Sequence, residues 1–288
     1  MENPSFIIRN MEPGDINSAI KLSDAAGWNQ TEKDWQLLIE NVANVCLLAE
    51  TDDKVIIGTT TAINYSNEVA WIGMVLVDKQ YQGHGISKSL LANIFKKLGG
   101  IKSIKLDATP EGQVVYKKLD FIDEYAIVRL INSSVTKVLS PGDDLLTEPV
   151  ESQNLGEIID LDEFIFGANR KQLITPMLNE YPASAWLLKN NGRISGFSLG
   201  RDGKRYHQVG PVVASTTLEA KLLITKALNN LIDQPVVVDV LADKEEMVDW
   251  LHSIGFSKQR HFTRMYKEEN ILPGISSKQY LIAGPEFG

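Results

Sequence analysis

The chain has 288 residues, 43% of them hydrophobic and 23% charged, so it can bury a core and is long enough for two domains. Its 29 basic and 37 acidic side chains give a net charge of −8 and are spread along the sequence. The absence of a basic patch argues against a nucleic-acid-binding protein.

Alternation and helical periodicity predict the first elements in the order strand, helix, helix, strand, strand. These elements are a strand at 6–9, helices at 14–26 and 31–42, and strands at 45–50 and 55–63. Thr31, with Asp34 three residues later, is close to a capping box and should begin the second helix. The pair Asp52–Asp53 is typical of a hairpin turn between the two strands.

The stretch that follows has the strongest pattern in the chain. Val69–Val77 is mostly apolar, and five of its nine residues are β-branched or aromatic, which predicts a buried strand. Gly83 and Gly85 come next, and apolar residues then recur at helical spacing from Ile86 to Leu98. Free amides and partial positive charge lie at the start of a helix, and glycines let a ligand approach the backbone closely. The order strand, glycine turn, helix therefore predicts a phosphate- or pyrophosphate-binding turn.

Two common phosphate-binding motifs do not fit this turn. Lys88 stands where the dinucleotide fingerprint needs its third glycine, and the spacing is one residue short of a P-loop. The remaining pattern, Gln80-x-x-Gly83-x-Gly85, resembles the pyrophosphate-binding motif of the GNAT superfamily of acyl-CoA-dependent N-acyltransferases. Six residues alone fit a plain strand-to-helix turn as well, so the surrounding chain has to decide.

A second motif lies at the distance that this family leads us to expect. A strand at 101–107, a helix after Thr109–Pro110 and a strand at 121–131 complete the order β-α-α-β-β-β-α-β-α-β, which is that of a GNAT domain. Residues 106–121 resemble the later GNAT motif, in which a tyrosine, here Tyr116, precedes a Gly–Phe pair. Asp120 replaces that glycine, and Asp can also adopt the left-handed conformation. The resemblance covers residues 5–131.

The same layout recurs after a segment of linker composition around Ser140–Asp144. The predicted elements are helices at 152–163, 170–180, 218–231 and before 254, strands at 184–189, 193–200, 208–214, 236–241 and 260–266, and a short strand or tail at 281–286. Aligning Phe121 with Phe256 gives an offset of 135 (256 − 121) and places Tyr116 on Leu251. This indicates a duplication of domain size.

The chain thus resembles tandem GNAT proteins whose second copy is degenerate. The resemblance implies an α/β (α+β) fold of two tandem GNAT-like domains, each a mixed, mostly antiparallel central sheet flanked by helices. We place the first domain at 1–135, a linker at 136–150 and the second domain at 151–288.

The second copy lacks the residues that would bind a coenzyme. There is no glycine between Gly210 and Gly255, Glu219 would repel a pyrophosphate, and Leu251 cannot donate a proton. We therefore predict no coenzyme in the second copy. Its segments 166–170 and 262–265 either form one wall of the acceptor site or only pack against the first domain.

The resemblance assigns a coenzyme site to the first copy. Backbone groups would hold the pyrophosphate and the pantetheine arm of acetyl-CoA, and Tyr116 would contact the coenzyme and protonate the departing thiolate. The pyrophosphate-binding residues would be Gln82, Gly83, His84, Gly85, Ile86 and Ser87, and the strand residues at the thioester would be Val75, Leu76 and Val77. A core tyrosine that only packs is the alternative for Tyr116.

The acceptor side is less defined by the sequence. The resemblance places Trp28, Asn29 and Gln30, between the first two helices, against the acceptor. Glu68 is a candidate general base, a chain of waters is equally acceptable, and Glu111 is weaker because an acid in a first helical turn usually compensates the helix dipole.

The expected activity is transfer of an acetyl group from acetyl-CoA to a primary amine of a small molecule or peptide. The alternative is a non-catalytic acyl-CoA sensor or binding protein. We expect no metal, because the four histidines lack ligand spacing. We also expect no signal peptide or membrane partner, and the single cysteine, Cys46, fits a reducing cytoplasm. The sequence does not indicate an oligomeric state.

Overall fold

A computed structural model gives the structure of residues 5–142, 147–270 and 272–288. The chain divides into a first unit that ends at Lys105 and a second unit that begins at Leu106. We use first copy for residues 5–132 and second copy for residues 147–288, because the same order of elements occurs in both.

The described residues of the first unit form five strands and three helices. They are β1 (Phe6–Asn10), α1 (Ile16–Ala25), α2 (Glu32–Glu40), β2 (Val45–Thr51), β3 (Ile56–Tyr65), β4 (Val69–Val77), α3 (Ile86–Lys97) and β5 (Ser103–Ala108), whose last three residues belong to the second unit. The sheet order is β1-β2-β3-β4-β5, antiparallel except for the parallel pair β4–β5. Every predicted boundary of these elements lies within two residues of the observed one.

Apolar faces and a cap explain why these segments fold locally. Thr31 accepts a hydrogen bond from the amide of Asp34 and the Asp34 carboxylate accepts one from the amide of Thr31, which confirms the capping box at the start of α2. Trp35 of α2, Trp71 of β4 and Leu90 of α3 are fully buried in the core. Burial of a large apolar side chain contributes about 1.5–3 kcal/mol, so these faces fix the helices on the sheet.

The second unit holds the end of the first copy and all of the second. Its elements are α4 (Pro110–Lys117), β6 (Ile122–Asn132), β7 (Thr147–Pro149), α5 (Leu155–Phe166), α6 (Lys171–Glu180), β8 (Trp186–Asn190), β9 (Arg193–Arg201), β10 (His207–Val213), α7 (Thr217–Asn229), β11 (Val236–Leu241), α8 (Glu245–Ser253), β12 (Ser257–Glu268) and β13 (Gln279–Leu281). Its sheet order, starting from the end of β5, is β5-β12-β6-β11-β13-β10-β9-β8-β7. Helices α7 and α8 bury their apolar faces on β10 and β11.

Matching backbone hydrogen bonds confirm the duplication and its offset. The amide of Phe121 donates to the carbonyl of Tyr116 at 3.1 Å, and the amide of Phe256 donates to the carbonyl of Leu251 at 3.0 Å. The residue before each phenylalanine is left-handed, with φ of +65° at Asp120 and +94° at Gly255. Asp120 therefore does replace the usual glycine at this turn.

The equivalent strands β6 and β12 exchange places between the two copies, which the sequence pattern did not indicate. β12, from the second copy, lies between β5 and β6, while β6, from the first copy, pairs antiparallel with β11. For this reason the unit boundary falls inside β5 and not near residue 136. The division into domains at 1–135, 136–150 and 151–288 stays a prediction about where the copies begin, and residues 143–146 of its linker lie outside the described residues.

Candidate active site

The carboxyl end of β4 is distorted where the sequence places the thioester. β4 and β5 pair in parallel through three residue pairs, from Val69–Ser103 to Trp71–Lys105. Beyond that point β4 bulges against β3, because Met74 and Val75 together lie opposite one residue of β3. The predicted segment Val75–Val77 starts inside this bulge.

Met74 carries backbone strain at the bulge. Its φ is +52°, which is unfavourable for a residue with a side chain, by about 1–3 kcal/mol. Its carbonyl accepts a hydrogen bond from the hydroxyl of Thr59 at 2.9 Å, and its side chain is buried. Strain of this kind persists where the surroundings impose it and is concentrated at functional sites.

The turn after β4 exposes backbone amides. Gly83 and Gly85 have φ of +84° and +75°, and no described atom lies within 4 Å of the place where a Cβ would stand at either glycine. Gly85 is the N-cap of α3, which has no side-chain cap and no acidic residue in its first turn. Helix amides without an internal partner, together with the helix dipole, favour an anion at this point.

The other side chains of this turn have separate positions. Gln82 is exposed and donates to the carbonyl of Val77 at 3.3 Å. Ile86 is buried as the first residue of α3, while His84 and Ser87 are half-buried. The contribution of this turn to ligand binding therefore rests on its backbone.

Tyr116 lies in the last turn of α4, in the second unit. Its ring contacts the ring of Phe121 edge-on, with centroids 5.6 Å apart. Burial raises the pKa of its phenol above the ordinary value. The phenol therefore stays neutral at physiological pH, which is the form that can donate a proton.

The two carboxylates considered as bases lie in different surroundings. Glu68 is exposed in the turn before β4, at the opposite end of the strand from the bulge; at about 3.3 Å per residue it is roughly 20 Å from Val75. Glu111 is exposed in the first turn of α4. Its own amide and the hydroxyl of Thr109 hold its pKa below the ordinary value, so it is a weak proton acceptor.

The proposed acceptor segment lies between α1 and α2. Asn29 and Gln30 are buried, whereas Trp28 is half-buried. The side-chain oxygen of Gln30 is buried and has no hydrogen-bond partner among the described residues. An unpaired buried amide oxygen is costly, so it is available for an N–H donor of a ligand.

The exchanged strand brings a charged group to the end of β5 that was not assigned from the sequence. Arg264 of β12 donates two hydrogen bonds of 2.9 Å to Asp107 of β5 and one to the hydroxyl of Tyr125. Burial opposes the charge on Arg264, but Asp107, Tyr125 and Glu124 together outweigh it and raise the pKa of the guanidinium. Asp107, which stands between Leu106 and Ala108 in a buried strand, is the signal that could have indicated a buried basic partner.

Arg264 belongs to the 262–265 segment, which the sequence analysis gave as one possible wall of the acceptor site. The other such segment, 166–170, lies at the end of α5. Gly167 ends α5 with φ of +97°, and Arg170 forms a buried ion pair with Asp162. The residues equivalent to the coenzyme site also differ: Leu251 is buried in the core, and a capping box joins Thr216 and Glu219 at the start of α7.

Metal-ligand clusters and membrane-spanning helices are both absent from the described residues. These residues contain no group of three or more His, Cys, Asp or Glu side chains that could hold a metal ion. None of their helices is both long and apolar enough to cross a membrane.

Two family models, each described as an acetyltransferase (GNAT) domain, match this chain, one at residues 43–123 and the other at residues 158–281. The chain belongs to the GNAT acetyltransferases. It is a tandem GNAT protein, and as a member of this family it is a transferase.

One sequence relative and two solved structures with the same fold cover most of the chain. The holothin acyltransferase of a Pseudoalteromonas species is 24% identical over 81% of this chain and 78% of its own. A Pyrococcus horikoshii protein assigned as an acetyltransferase has the same fold, with a TM-score of 0.80, 23% identity and coverage of 100% and 98%. A tandem GNAT protein from the clavulanic acid biosynthesis pathway aligns with a TM-score of 0.62, 11% identity and coverage of 92% and 98%.

Proposed function

We propose that this GNAT protein transfers an acetyl group from acetyl-CoA to a primary amine, with one coenzyme bound per chain in the first copy. The observation that carries the proposal is the bulged end of β4 followed by the uncapped glycine turn at α3. Val75, Leu76 and Val77 would present main-chain groups to the pantetheine arm and thioester, and the amides of residues 82–87 would bind the pyrophosphate.

The reaction needs a proton for the departing thiolate. The amine attacks the thioester carbonyl, the C–N bond forms, the C–S bond breaks, and Tyr116 donates its phenolic proton to the departing sulfur. The nitrogen of the new amide releases a proton to solvent, and solvent returns a proton to Tyr116. Burial keeps the pKa of Tyr116 above its ordinary value, so the phenol carries the proton that this role requires over the whole physiological range. Its half-buried position also limits competition from bulk water.

The ammonium of the acceptor must lose its proton before it attacks. Glu111 is disfavoured by its lowered pKa, and Glu68 lies at the far end of β4 from the bulge. We therefore propose that solvent, through a chain of waters, accepts this proton, and that Glu68→Gln will leave the turnover rate nearly unchanged.

The acceptor itself is proposed at the level of its class. Trp28, Asn29 and Gln30 would contact it, and the unpaired oxygen of Gln30 suits an ammonium or amide N–H. One relative is named for acyl transfer to holothin, and we propose a small-molecule or peptide amine as the acceptor class of this chain. A cytoplasmic location is part of the proposal and rests on the single cysteine.

A panel assay tests the activity. Free thiol release is measured with acetyl-CoA and amines, amino acids, polyamines and peptides, while calorimetry measures coenzyme binding. We expect one acetyl-CoA per chain and thiol release with at least one amine. One bound coenzyme with no turnover of any amine would favour the acyl-CoA sensor, and the absence of binding would overturn both functions.

A further inference from the structure

The second copy contains the same kind of gap between its two parallel strands as the first. β10 and β11 pair through three residue pairs, from His207–Val236 to Val209–Val238, just as β4 and β5 do. β10 then bulges, with Gly210 and Pro211 opposite a single residue of β9. Both copies therefore keep the backbone geometry that opens a slot beside the central strand.

In the second copy, the slot is filled by the chain itself. Leu281 of β13 pairs antiparallel with Val212 of β10 on one side and with Val240 of β11 on the other. The amide of Ile282 donates to the carbonyl of Asp239 in β11 at 3.0 Å. β13 is thus a third strand inserted where β10 and β11 diverge.

Gly210 is the residue that lets this segment approach. Its φ is +143°, and a Cβ at this position would lie 2.1 Å from the carbonyl oxygen of Ile282. No side chain can be accommodated at such a distance without movement of the backbone. The close packing of this segment against the bulge is therefore built into the sequence of β10.

The start of α7 is also occupied by a group of the chain. The Glu219 carboxylate accepts the amide of Ser215 at 2.8 Å and that of Thr216 at 3.3 Å. The Thr216 hydroxyl accepts the amide of Glu219 at 3.2 Å. An anionic group therefore already satisfies the amides that correspond to the glycine turn of the first copy.

We propose that the second copy contains an internal replacement for acyl-CoA: β13 fills the slot of the pantetheine arm, and the Glu219 carboxylate takes the position of the pyrophosphate. The proposal rests on the proposed function of the equivalent slot in the first copy. An extended peptide suits such a slot because its amides bond to the free edges of diverging strands, as in β-strand addition. The ligand class that the slot would otherwise accept is an acyl-pantetheine.

Hydrogen exchange of the full-length protein tests the proposal. Without acetyl-CoA, the amides of Leu281 and Ile282 should exchange as slowly as those of β10, and acetyl-CoA should leave them unchanged while it slows exchange at residues 82–87. Fast exchange at 281–282, or faster exchange on addition of acetyl-CoA, would overturn the proposal. If residues 82–87 do not respond, the proposed function fails, while the exchange at 281–282 still decides this inference.

A pair of glycine variants tests the packing directly. Gly210→Ala should increase exchange at residues 279–282 at least tenfold, because the new Cβ meets the Ile282 carbonyl. Gly192→Ala is the matched control: Gly192 has φ of +76° and no described atom within 4 Å of its Cβ position, so the substitution adds strain without a contact. Unchanged exchange at 279–282 in Gly210→Ala would contradict the inference.

A third variant keeps the test independent of the folding of Gly210→Ala. Glu219→Gln removes the charge at the start of α7 but preserves an acceptor for its amides. Because β13 still fills the slot, calorimetry should again give one acetyl-CoA per chain. A second bound acetyl-CoA in this variant would show that the slot is open and that only the Glu219 charge excluded the coenzyme.

Discussion

The two copies of this GNAT protein have the same backbone fold but differ in the chemical groups at equivalent positions. In both, a three-pair parallel ladder gives way to a bulge in the central strand. The first copy continues into a glycine turn whose amides have no side-chain cap. The second continues into a capping box between Thr216 and Glu219 and receives β13 in its slot. The second copy can therefore keep the fold geometry and still lose the binding site, since a few residues at the start of the helix decide whether an anion can bind there.

The second copy has nevertheless kept a contribution to the first. Its strand β12 lies beside the end of β5 and pairs Arg264 with Asp107. Asp107 is three residues before α4, the helix that carries Tyr116. A degenerate copy can thus stabilise the segment from which the proposed general acid is presented.

The glycine turn gives the largest expected difference between the copies. Gly83→Glu and Gly85→Glu add a negative charge at the proposed pyrophosphate site and strain of about 1–3 kcal/mol at a positive φ. Together these effects should weaken acetyl-CoA binding by more than about 100-fold, as measured by calorimetry. Gly192→Glu carries the same charge and a similar φ in the second copy and should bind acetyl-CoA normally. Normal binding by either turn variant would show that the pyrophosphate site lies elsewhere.

The packing of the exchanged strand β12 against β5 can be disrupted at its buried ion pair. Arg264→Met leaves Asp107 charged and unpaired in the interior, so the free energy of unfolding in urea should fall by about 3–5 kcal/mol. Arg264→Met combined with Asp107→Leu should recover most of that loss. Lys117→Met, which removes an exposed pair with Asp123, should change stability by less than about 1 kcal/mol. Equal losses from the exposed and buried pairs would contradict the importance of β12.

The proposed acid distinguishes Tyr116 from its counterpart Leu251. Tyr116→Phe should lower kcat by about 100-fold or more and leave acetyl-CoA affinity within a few-fold, because the proton is needed only as the C–S bond breaks. Tyr266→Phe, a change at another half-buried tyrosine, should leave kcat unchanged. A nearly normal kcat in Tyr116→Phe, with chemistry rate-limiting, would reduce Tyr116 to a packing residue.

The pH dependence of the reaction sharpens the same assignment. Burial raises the pKa of Tyr116 above its ordinary value of 10.0, so the acid form is retained as the pH rises to that value and is lost only above it. The kcat should therefore show no decrease from Tyr116 ionisation up to pH 10. A basic limb below pH 10 that is absent from Tyr116→Phe would contradict the raised pKa.

The smallest expected effect concerns the cap that replaces the glycine turn. Thr216→Ala removes the side-chain cap of α7 and should lower the free energy of unfolding by about 1 kcal/mol without changing acetyl-CoA affinity. Thr31→Ala removes a cap of the same kind from α2 in the first copy and should lower the free energy of unfolding by a similar amount. A changed acetyl-CoA affinity in Thr216→Ala would place the start of α7 in the binding site.

Local pattern was sufficient for the elements and for part of the site. The helix from Ile86 and the strand Val69–Val77 follow from spacing that burial imposes on each element, and the Thr31 cap follows from hydrogen-bonding groups three residues apart. The left-handed conformation of Asp120 could also be predicted, because Asp120 stands at the position of the glycine that precedes the phenylalanine in the family motif. The strain at Met74 could not be predicted, since nothing in a run of apolar residues indicates a bulge.

By itself the sequence determined the order of elements, the duplication with its offset of 135, and the loss of the glycine turn from the second copy. Only the tertiary structure decided that β6 and β12 exchange places, that Arg264 pairs with Asp107, and that β13 enters the slot of the second copy. The physical reason is that periodicity reports which face of a strand is buried, whereas the choice of neighbouring strand depends on contacts between residues that lie far apart in the sequence. β6 and β12 have similar patterns of polar and apolar residues, so each could pair with either β5 or β11. The packing of the whole sheet selects between these pairings.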